Sequence, residues 1–199
     1  MSEYFKLKTR YMRSIFFSIL CLFTLSVMAQ DKQIDLSAWG LPSFPLDEET
    51  QLISFSDVVD VEGVSAADLY QLGLNWIGDY YKNSSSVMQV KDADNGILEG
   101  KHSFYVMRDV NGQMVKGDLI KYQFNIRFRD GRYKYTITRI NVQKSAYYGI
   151  EEWINDENKI SDPEIQDFLE QIHTFFTEEY IPAMTEGIQP KKEAKEEDW

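Results

Sequence analysis

The sequence predicts an α+β domain with five strands and two helices, in the order strand, helix, four strands, helix. Apolar residues alternate with polar ones over residues 53–61 and again over 115–129, as in strands that bury one side. Two other segments, 65–81 and 163–184, repeat apolar residues every three or four positions, as in amphipathic helices. Aromatic residues make up 14% of the chain and can supply a sizeable core.

The first strand and first helix follow directly from spacing. The apolar side of the strand consists of Ile53, Phe55, Val59 and Val61. Ser65 has the position of a helix N-cap, and Asp68 three residues later completes a capping box. The apolar stripe of the helix consists of Leu69, Gly73, Trp76, Ile77 and Tyr80. Tyr81 falls outside this stripe, so we expect it to be the most exposed aromatic residue of the segment.

Four strands follow, and the last two form a predicted hairpin. Asp130-Gly131 is a typical two-residue hairpin turn. It pairs Arg129 with Arg132, Phe128 with Tyr133, Ile126 with Tyr135 and Phe124 with Ile137. Both strands then place their apolar residues on the same face, which supports this register.

The second helix is predicted to begin near residue 162. Either Asp162 caps it with Pro163 at the first helical position, or Ser161 caps it with Glu164 closing a capping box. Pro182 is expected to bend or end it. Residues 186–199 are rich in charge and poor in apolar residues, which predicts a disordered tail.

The N-terminus has the pattern of a cleavable export signal. Basic residues precede a 14-residue apolar run, Ser14 to Val27, and small side chains favour cleavage between Ala29 and Gln30. The alternative is a lipoprotein cut at Cys21, although Leu20 is bulky for that motif. The sequence therefore predicts a periplasmic or extracellular protein with residues 1–29 as signal peptide. The mature chain would have no cysteine and no stable membrane span.

Residues 30–51 have no sustained period and contain Pro42 and Pro45. Two interpretations remain open for this segment: an extended lead-in that packs Trp39 and Phe44 on the domain, or a mobile linker. The domain itself is predicted to cover residues 52–185.

The charge balance excludes one class of partner. The chain has 21 basic and 32 acidic side chains, of which four basic and one acidic lie within residues 1–29, so the mature chain carries about −14. An acidic protein repels phosphate backbones, and nucleic-acid binding is not expected.

Three segments carry a resemblance to a known family. They are "FPLDEETQLISFSDVVDVEGVSAADLYQLGLNWI", "GILEGKHSF" and "DGRYKYTITRI", between about Phe44 and Asn141. The chain resembles the DUF4468 domain of exported bacterial proteins, which has a fold like that of the TATA-box-binding protein. The resemblance implies one curved antiparallel sheet with both helices on one face, and it implies no catalytic or binding residues.

The candidate binding residues lie on the polar side of the predicted hairpin. They are Lys121, Arg127, Arg129, Arg132 and Lys134. Like charges opposite one another destabilise a sheet. This cluster therefore suggests recognition of an anion: a carboxylate-bearing glycan, a lipid headgroup or an acidic loop of an envelope protein. The alternative is a solvated face balanced by acidic residues of neighbouring strands.

Two other functions are weighed against this non-enzymatic binding module. A glycan-directed hydrolase would use the acidic loop that contains Glu151, Glu152, Asp156 and Glu157. A self-associating structural subunit would use an exposed aromatic patch of Tyr147, Tyr148 and Trp153. The sequence predicts no cofactor and no metal site, since His102 and His173 lack the spacing of metal ligands and "DADNG" is better explained as a turn.

Overall fold

The structure, a computed structural model, describes residues 32–190. The predicted signal peptide and its cleavage site lie outside these residues. The strands are β1 (Lys32–Ile34), β2 (Phe44–Leu46), β3 (Phe55–Asp60), β4 (Met88–Asp92), β5 (Ile97–Val110), β6 (Gln113–Arg129) and β7 (Arg132–Val142). The helices are α1 (Ala66–Tyr80), α2 (Ser84–Val87), α3 (Glu151–Ile154), α4 (Glu157–Ile160), α5 (Pro163–Thr174) and α6 (Ile181–Gly187), with a π-helical turn at Phe175–Tyr180.

The α+β fold class predicted from the sequence is confirmed. Strands β3 to β7 form one antiparallel sheet in the order β3-β7-β6-β5-β4. Helix α1 packs on this sheet where Gly73 meets the ring of Phe128. Helix α5 and the π-helical turn that follows it form most of the second predicted helix. They pack on the same face, where the ring of Phe176 lies 5.3 Å from that of Tyr122. The opposite side, here called the open face, is covered by neither helix.

The predicted register of the last hairpin is confirmed in all four pairs, from Arg129–Arg132 to Phe124–Ile137. The preceding hairpin is longer than expected, because β5 and β6 continue to a two-residue turn at Asn111-Gly112. Both turn residues have positive φ, 56° and 82°, as a tight hairpin turn requires.

Helix α1 begins as predicted, but its last residues differ from the expectation. The Ser65 hydroxyl oxygen accepts a 3.1 Å hydrogen bond from the Asp68 amide. Tyr81, expected to be exposed, is buried, whereas Tyr80 is partly exposed. The helix ends at Tyr80, and Tyr81 adopts an extended backbone that turns its side chain into the core.

The second helix starts at the first of the two predicted caps and runs past Pro182. The Asp162 carboxylate accepts a hydrogen bond from the Glu164 amide, with Pro163 at the first helical position. The π-helical turn precedes Pro182, and α6 continues to Gly187. Because Ile188 is fully buried, the ordered domain extends beyond residue 186, where the tail was predicted to begin.

The lead-in is ordered from residue 32. Strands β1 and β2 form a small separate hairpin, and the fully buried Phe44 packs edge-on against Phe55 and His173. Trp39 is partly exposed, so only one of the two expected aromatic contacts forms. The segment thus packs on the domain instead of linking to it loosely.

Candidate anion-binding surface

All five predicted basic residues lie on the open face and are exposed to solvent. Strand β6 carries Lys121, Arg127 and Arg129 in alternation with buried residues that face the helices, and β7 carries Arg132 and Lys134 in the same way. The strict alternation of a half-buried strand therefore separates a basic face from the aromatic core.

Four of these side chains form two like-charge pairs across the hairpin. Arg129 lies directly opposite Arg132, and Arg127 lies directly opposite Lys134. Opposed like charges destabilise a strand pair by a few tenths of a kcal/mol to ~1 kcal/mol. The fold keeps these like-charge pairs although Asp60 and Glu99 lie on the same face of the sheet.

Neighbouring acidic residues do not neutralise the cluster by direct contact. Among residues 32–190, no carboxylate lies within 4 Å of any of the five basic groups. Asp60 of β3 is opposite Arg132 in the sheet, yet the two form no ion pair. Glu99 on the same face instead accepts a hydrogen bond from Asn125. The five cations therefore remain available to an external anion.

The charge of Lys134 acts on the carboxylate of Asp47. The pKa of Asp47 is lowered mainly by hydrogen bonds from Thr50 and to a smaller extent by the charge of Lys134. This influence acts at a distance and occupies none of the Lys134 hydrogen-bond donors.

A shallow depression collects the four hairpin residues. It has a volume of about 330 Å³ and is lined by Val58, Arg127, Arg129, Arg132, Tyr133 and Lys134. Lys121 lies apart from it, in a second depression of about 310 Å³ that also contains Lys101. The structure thus groups four of the five predicted residues and separates the fifth.

Lys101 was missed by the sequence reasoning. Lys101 is on β5, opposite Gln123 of β6 and on the same face as Lys121. The alternation of β5 is the signal that could have located it: His102 and Phe104 lie opposite the buried Tyr122 and Ile120, on the helix-covered face. That placement fixes Lys101 on the opposite face, but only once the register of β5 on β6 is known.

The side chains of this surface have the chemistry needed to hold an anion. Guanidinium groups stay charged at all accessible pH values and can hold carboxylate or phosphate oxygens with paired N–H donors. None of the residues that line the larger depression is a histidine, cysteine, serine or carboxylate. In the described part of the chain, no group of three or more His, Cys, Asp or Glu side chains is arranged to hold a metal ion.

Glu151, the first residue of the acidic loop considered for hydrolysis, is buried. Its carboxylate accepts a 2.6 Å hydrogen bond from the Ile53 amide. Burial raises the pKa of Glu151, an effect that this hydrogen bond partly offsets. The carboxylate is therefore directed at the backbone before β3, while Glu152 is exposed. This geometry ties α3 to the backbone that precedes β3 and withdraws Glu151 from the surface.

The aromatic patch considered for self-association does not form. Trp153 is buried and lies near Phe168 of α5, so only Tyr147 of the three residues is widely exposed. The Tyr148 ring is covered by the ammonium of Lys144, 3.8 Å from its centroid. The short helix α3, unrecognised in the sequence, turns Trp153 inward.

No helix within residues 32–190 has the length and apolar character needed to cross a lipid bilayer.

Comparisons with known proteins bear on the fold. Residues 55–143 match the family model described as a domain of unknown function (DUF4468) with TBP-like fold. A DUF4468 family protein from Bacteroides ovatus ATCC 8483 superposes with a TM-score of 0.59 at 15% identity, over 76% of this chain and 93% of its own. A TBP-like protein from Parabacteroides distasonis ATCC 8503 superposes with a TM-score of 0.55 at 17% identity, over 72% of this chain and 96% of its own.

No curated protein matches the chain. At these identities the two solved structures establish the fold alone. Together with the family model they confirm the resemblance noted from the sequence: residues 55–143 match the DUF4468 domain, and the described chain has a TBP-like fold.

Proposed function

We propose that this protein is an exported, non-enzymatic binding module that recognises an anionic partner of the cell envelope through the open face of its sheet. The residues that carry recognition are Arg127, Arg129, Arg132 and Lys134, with Lys121 as a peripheral contact. Export rests on the basic and apolar pattern of residues 1–29, which agrees with an envelope or extracellular partner.

One observation carries the proposal. Four exposed cations surround a single depression, and no carboxylate of residues 32–190 lies within 4 Å of them, in a protein whose net charge is −11. Like-charge pairs cost stability in the free protein, and an anion bound between them removes that cost. This gives the arrangement a function that a merely solvated face would not have.

The geometry favours a partner with several negative groups. Adjacent strands are about 4.8 Å apart, and side chains two residues apart on one strand are about 7 Å apart, so the four cations form a small grid. A single monovalent ion contacts one side of such a grid, whereas clustered carboxylates or phosphates contact all of it. The shared chemistry is therefore a polyanionic surface.

The first experiment is crosslinking in the native host, followed by purification and mass spectrometry of what accompanies the protein. We expect one abundant envelope component to copurify with wild type and to be lost from the Arg127→Glu/Arg129→Glu variant. A matched control, Lys82→Glu/Lys91→Glu, makes the same charge change at exposed sites away from the open face. Retention of the component by the first variant, or equal loss from both variants, would contradict recognition by this surface.

A binding assay on purified protein distinguishes the sources of the anion. The probes are polygalacturonate as a carboxylate glycan, vesicles that contain phosphatidylglycerol, and neutral phosphatidylcholine vesicles. We expect binding to one anionic probe and not to the neutral vesicles, with affinity that falls as salt rises. Since the Arg127→Glu/Arg129→Glu variant creates opposite-charge pairs with Lys134 and Arg132, its unfolding midpoint should not fall.

A further inference from the structure

The β5–β6 hairpin extends beyond the rest of the sheet and leaves one strand edge uncovered. Strand β7 ends at Val142, which pairs with Ile120, and the Gln143 amide donates the last hydrogen bond to the Leu119 carbonyl. Residues 113–118 of β6 pair only with β5. We call residues 105–119 the arm and residues 113–118 its free edge.

The backbone groups at this edge can be identified from the ladder. The two-residue turn makes Val110–Gln113 a hydrogen-bonded pair, so Arg108–Val115 is the next such pair and Asp109–Met114 is not. The N–H and C=O groups of Met114 and Lys116 therefore point away from β5. Within residues 32–190 they meet no other backbone partner.

Exposed apolar side chains concentrate on the same arm. Met114 is 59% exposed, Val110 46%, Tyr105 44% and Val115 40%. Strands β3 and β4, at the two outer edges of the sheet, carry acidic side chains and expose one large apolar residue each, Val58 and Val90. Charged edges resist pairing with other chains, whereas adjacent exposed apolar side chains, here Met114 and Val115, favour it.

We infer that the free edge of β6 pairs with the same edge of a second copy of this chain, antiparallel about a two-fold axis at Val115. The inference is independent of the proposed anion recognition, because the arm lies at the other end of β6 from Arg127 and Arg129. A two-fold interface requires that the edge complement itself, and this one does.

The register follows from which backbone groups are free. With the axis at Val115, Met114 of one copy lies opposite Lys116 of the other, and the two outward-pointing residues exchange hydrogen bonds. Two such pairs give about four backbone hydrogen bonds. The two copies of Val115 form the close pair between them. An axis at Lys116 would instead place two lysines in direct opposition, which is unfavourable.

Charge also supports a second copy as the occupant. On the open face, Asp109 pairs with Met114, and the register continues this row to Lys116 of the second copy. Each row thus holds one acidic and one basic side chain from different molecules. In the dimer, the Met114 side chain lies between Asp109 of its own chain and Lys116 of the second copy, and it is shielded from solvent.

The test is the mass of the protein isolated from its host, measured by sedimentation over about a hundredfold range of concentration. Wild type should move from the mass of one chain towards twice that mass. Met114→Lys places like charges opposite each other at an exposed site, so it should keep the fold and reduce dimer at least about tenfold. Adding Lys116→Glu should restore the dimer, because the double variant places opposite charges at the two positions that face each other across the interface.

Val90→Lys is the matched control, since Val90 is an exposed apolar residue on the outer edge strand β4. It should leave the mass unchanged. Amide exchange supplies a local readout: Met114 and Lys116 should exchange more slowly at high concentration. A single-chain mass at every concentration, or dissociation by Val90→Lys but not by Met114→Lys, would overturn the inference.

Discussion

The Tyr81 hydroxyl donates a 2.9 Å hydrogen bond to the Tyr180 hydroxyl, 99 positions later in the chain. Tyr122 of β6 completes the group at 3.3 Å from Tyr81. The three hydroxyls therefore connect the end of α1, the central strand and the π-helical turn inside the core. Burial raises the pKa of all three tyrosines, which keeps them protonated as hydrogen-bond donors.

Removal of the Tyr81 hydroxyl should destabilise the domain. Tyr81→Phe leaves the buried hydroxyls of Tyr180 and Tyr122 without their shared partner, and we expect the free energy of unfolding to fall by about 1–3 kcal/mol. Urea denaturation measures this change. Tyr80→Phe is the control, since Tyr80 is 38% exposed and its hydroxyl has no hydrogen-bond partner within residues 32–190; the expected change is within about 0.5 kcal/mol. Equal effects at the two positions would contradict a special role for the tyrosine cluster.

Two glycines of α1 should respond to alanine in opposite directions. A Cβ at Gly73 would lie 2.5 Å from the Phe128 ring and 3.2 Å from Leu98, whereas one at Gly78 would meet nothing within 4 Å. Overpacking at Gly73 should outweigh the helix propensity gained and cost about 1–3 kcal/mol. Gly78→Ala should stabilise by about 0.5–1 kcal/mol. Thermal or urea unfolding of both variants checks the pair, and a stabilised Gly73→Ala would show that α1 can move off the sheet cheaply.

Glu151 should contribute a pH dependence to stability. Because its pKa is raised in the folded state, the folded protein binds this proton more readily than the unfolded chain. Its contribution to stability is therefore present at low pH and is lost as pH rises through the folded pKa. Glu151→Gln retains an oxygen that can accept from the Ile53 amide. We expect the variant to be as stable as wild type or more stable at neutral pH, with a flatter pH profile.

Unfolding midpoints between about pH 4 and 8 provide the measurement for Glu151. Glu152→Gln, at an exposed neighbour whose charge makes the smallest contribution to the raised pKa of Glu151, should change the profile much less. A Glu151→Gln variant that loses stability at neutral pH would show that the negative charge itself holds α3 against Ile53.

The basic grid should reduce the stability of the free protein. Arg129→Thr removes one like-charge pair with Arg132, and we expect a gain of about 0.2–1 kcal/mol together with weaker anion binding. Lys101→Thr makes a similar substitution on the same face opposite the neutral Gln123, so it should gain less. Chemical denaturation with no added anion measures both. Equal gains would trace the effect to the strand preference of threonine and not to charge.

Local sequence patterns predicted much of this architecture. The turn at Asp130-Gly131 with matching alternation determined the hairpin register, and the sequence limited the start of the second helix to two caps, of which the structure has Asp162 with Pro163. Short-range geometry governs these features, because side chains alternate strictly in strands and caps bond to amides two or three residues away. The five basic residues were placed on one face by the same rule.

Other features depended on contacts between distant segments. Tyr81 and Tyr80 exchanged their expected environments because α1 ends one residue before Tyr81, whose hydroxyl then reaches Tyr180. Trp153 and Glu151 became buried because a four-residue helix packs against Ile53 and Phe168, and so short a helix has no periodic signal.

By itself, the sequence determined the order of the five sheet strands and the two long helical segments, the hairpin register and the basic face, since alternation and capping act between near neighbours. Only the tertiary structure decided which cations share a depression, which carboxylate is buried and where β6 is left without a neighbour. These properties depend on where other strands and helices end, and that is set by the packing of the whole core.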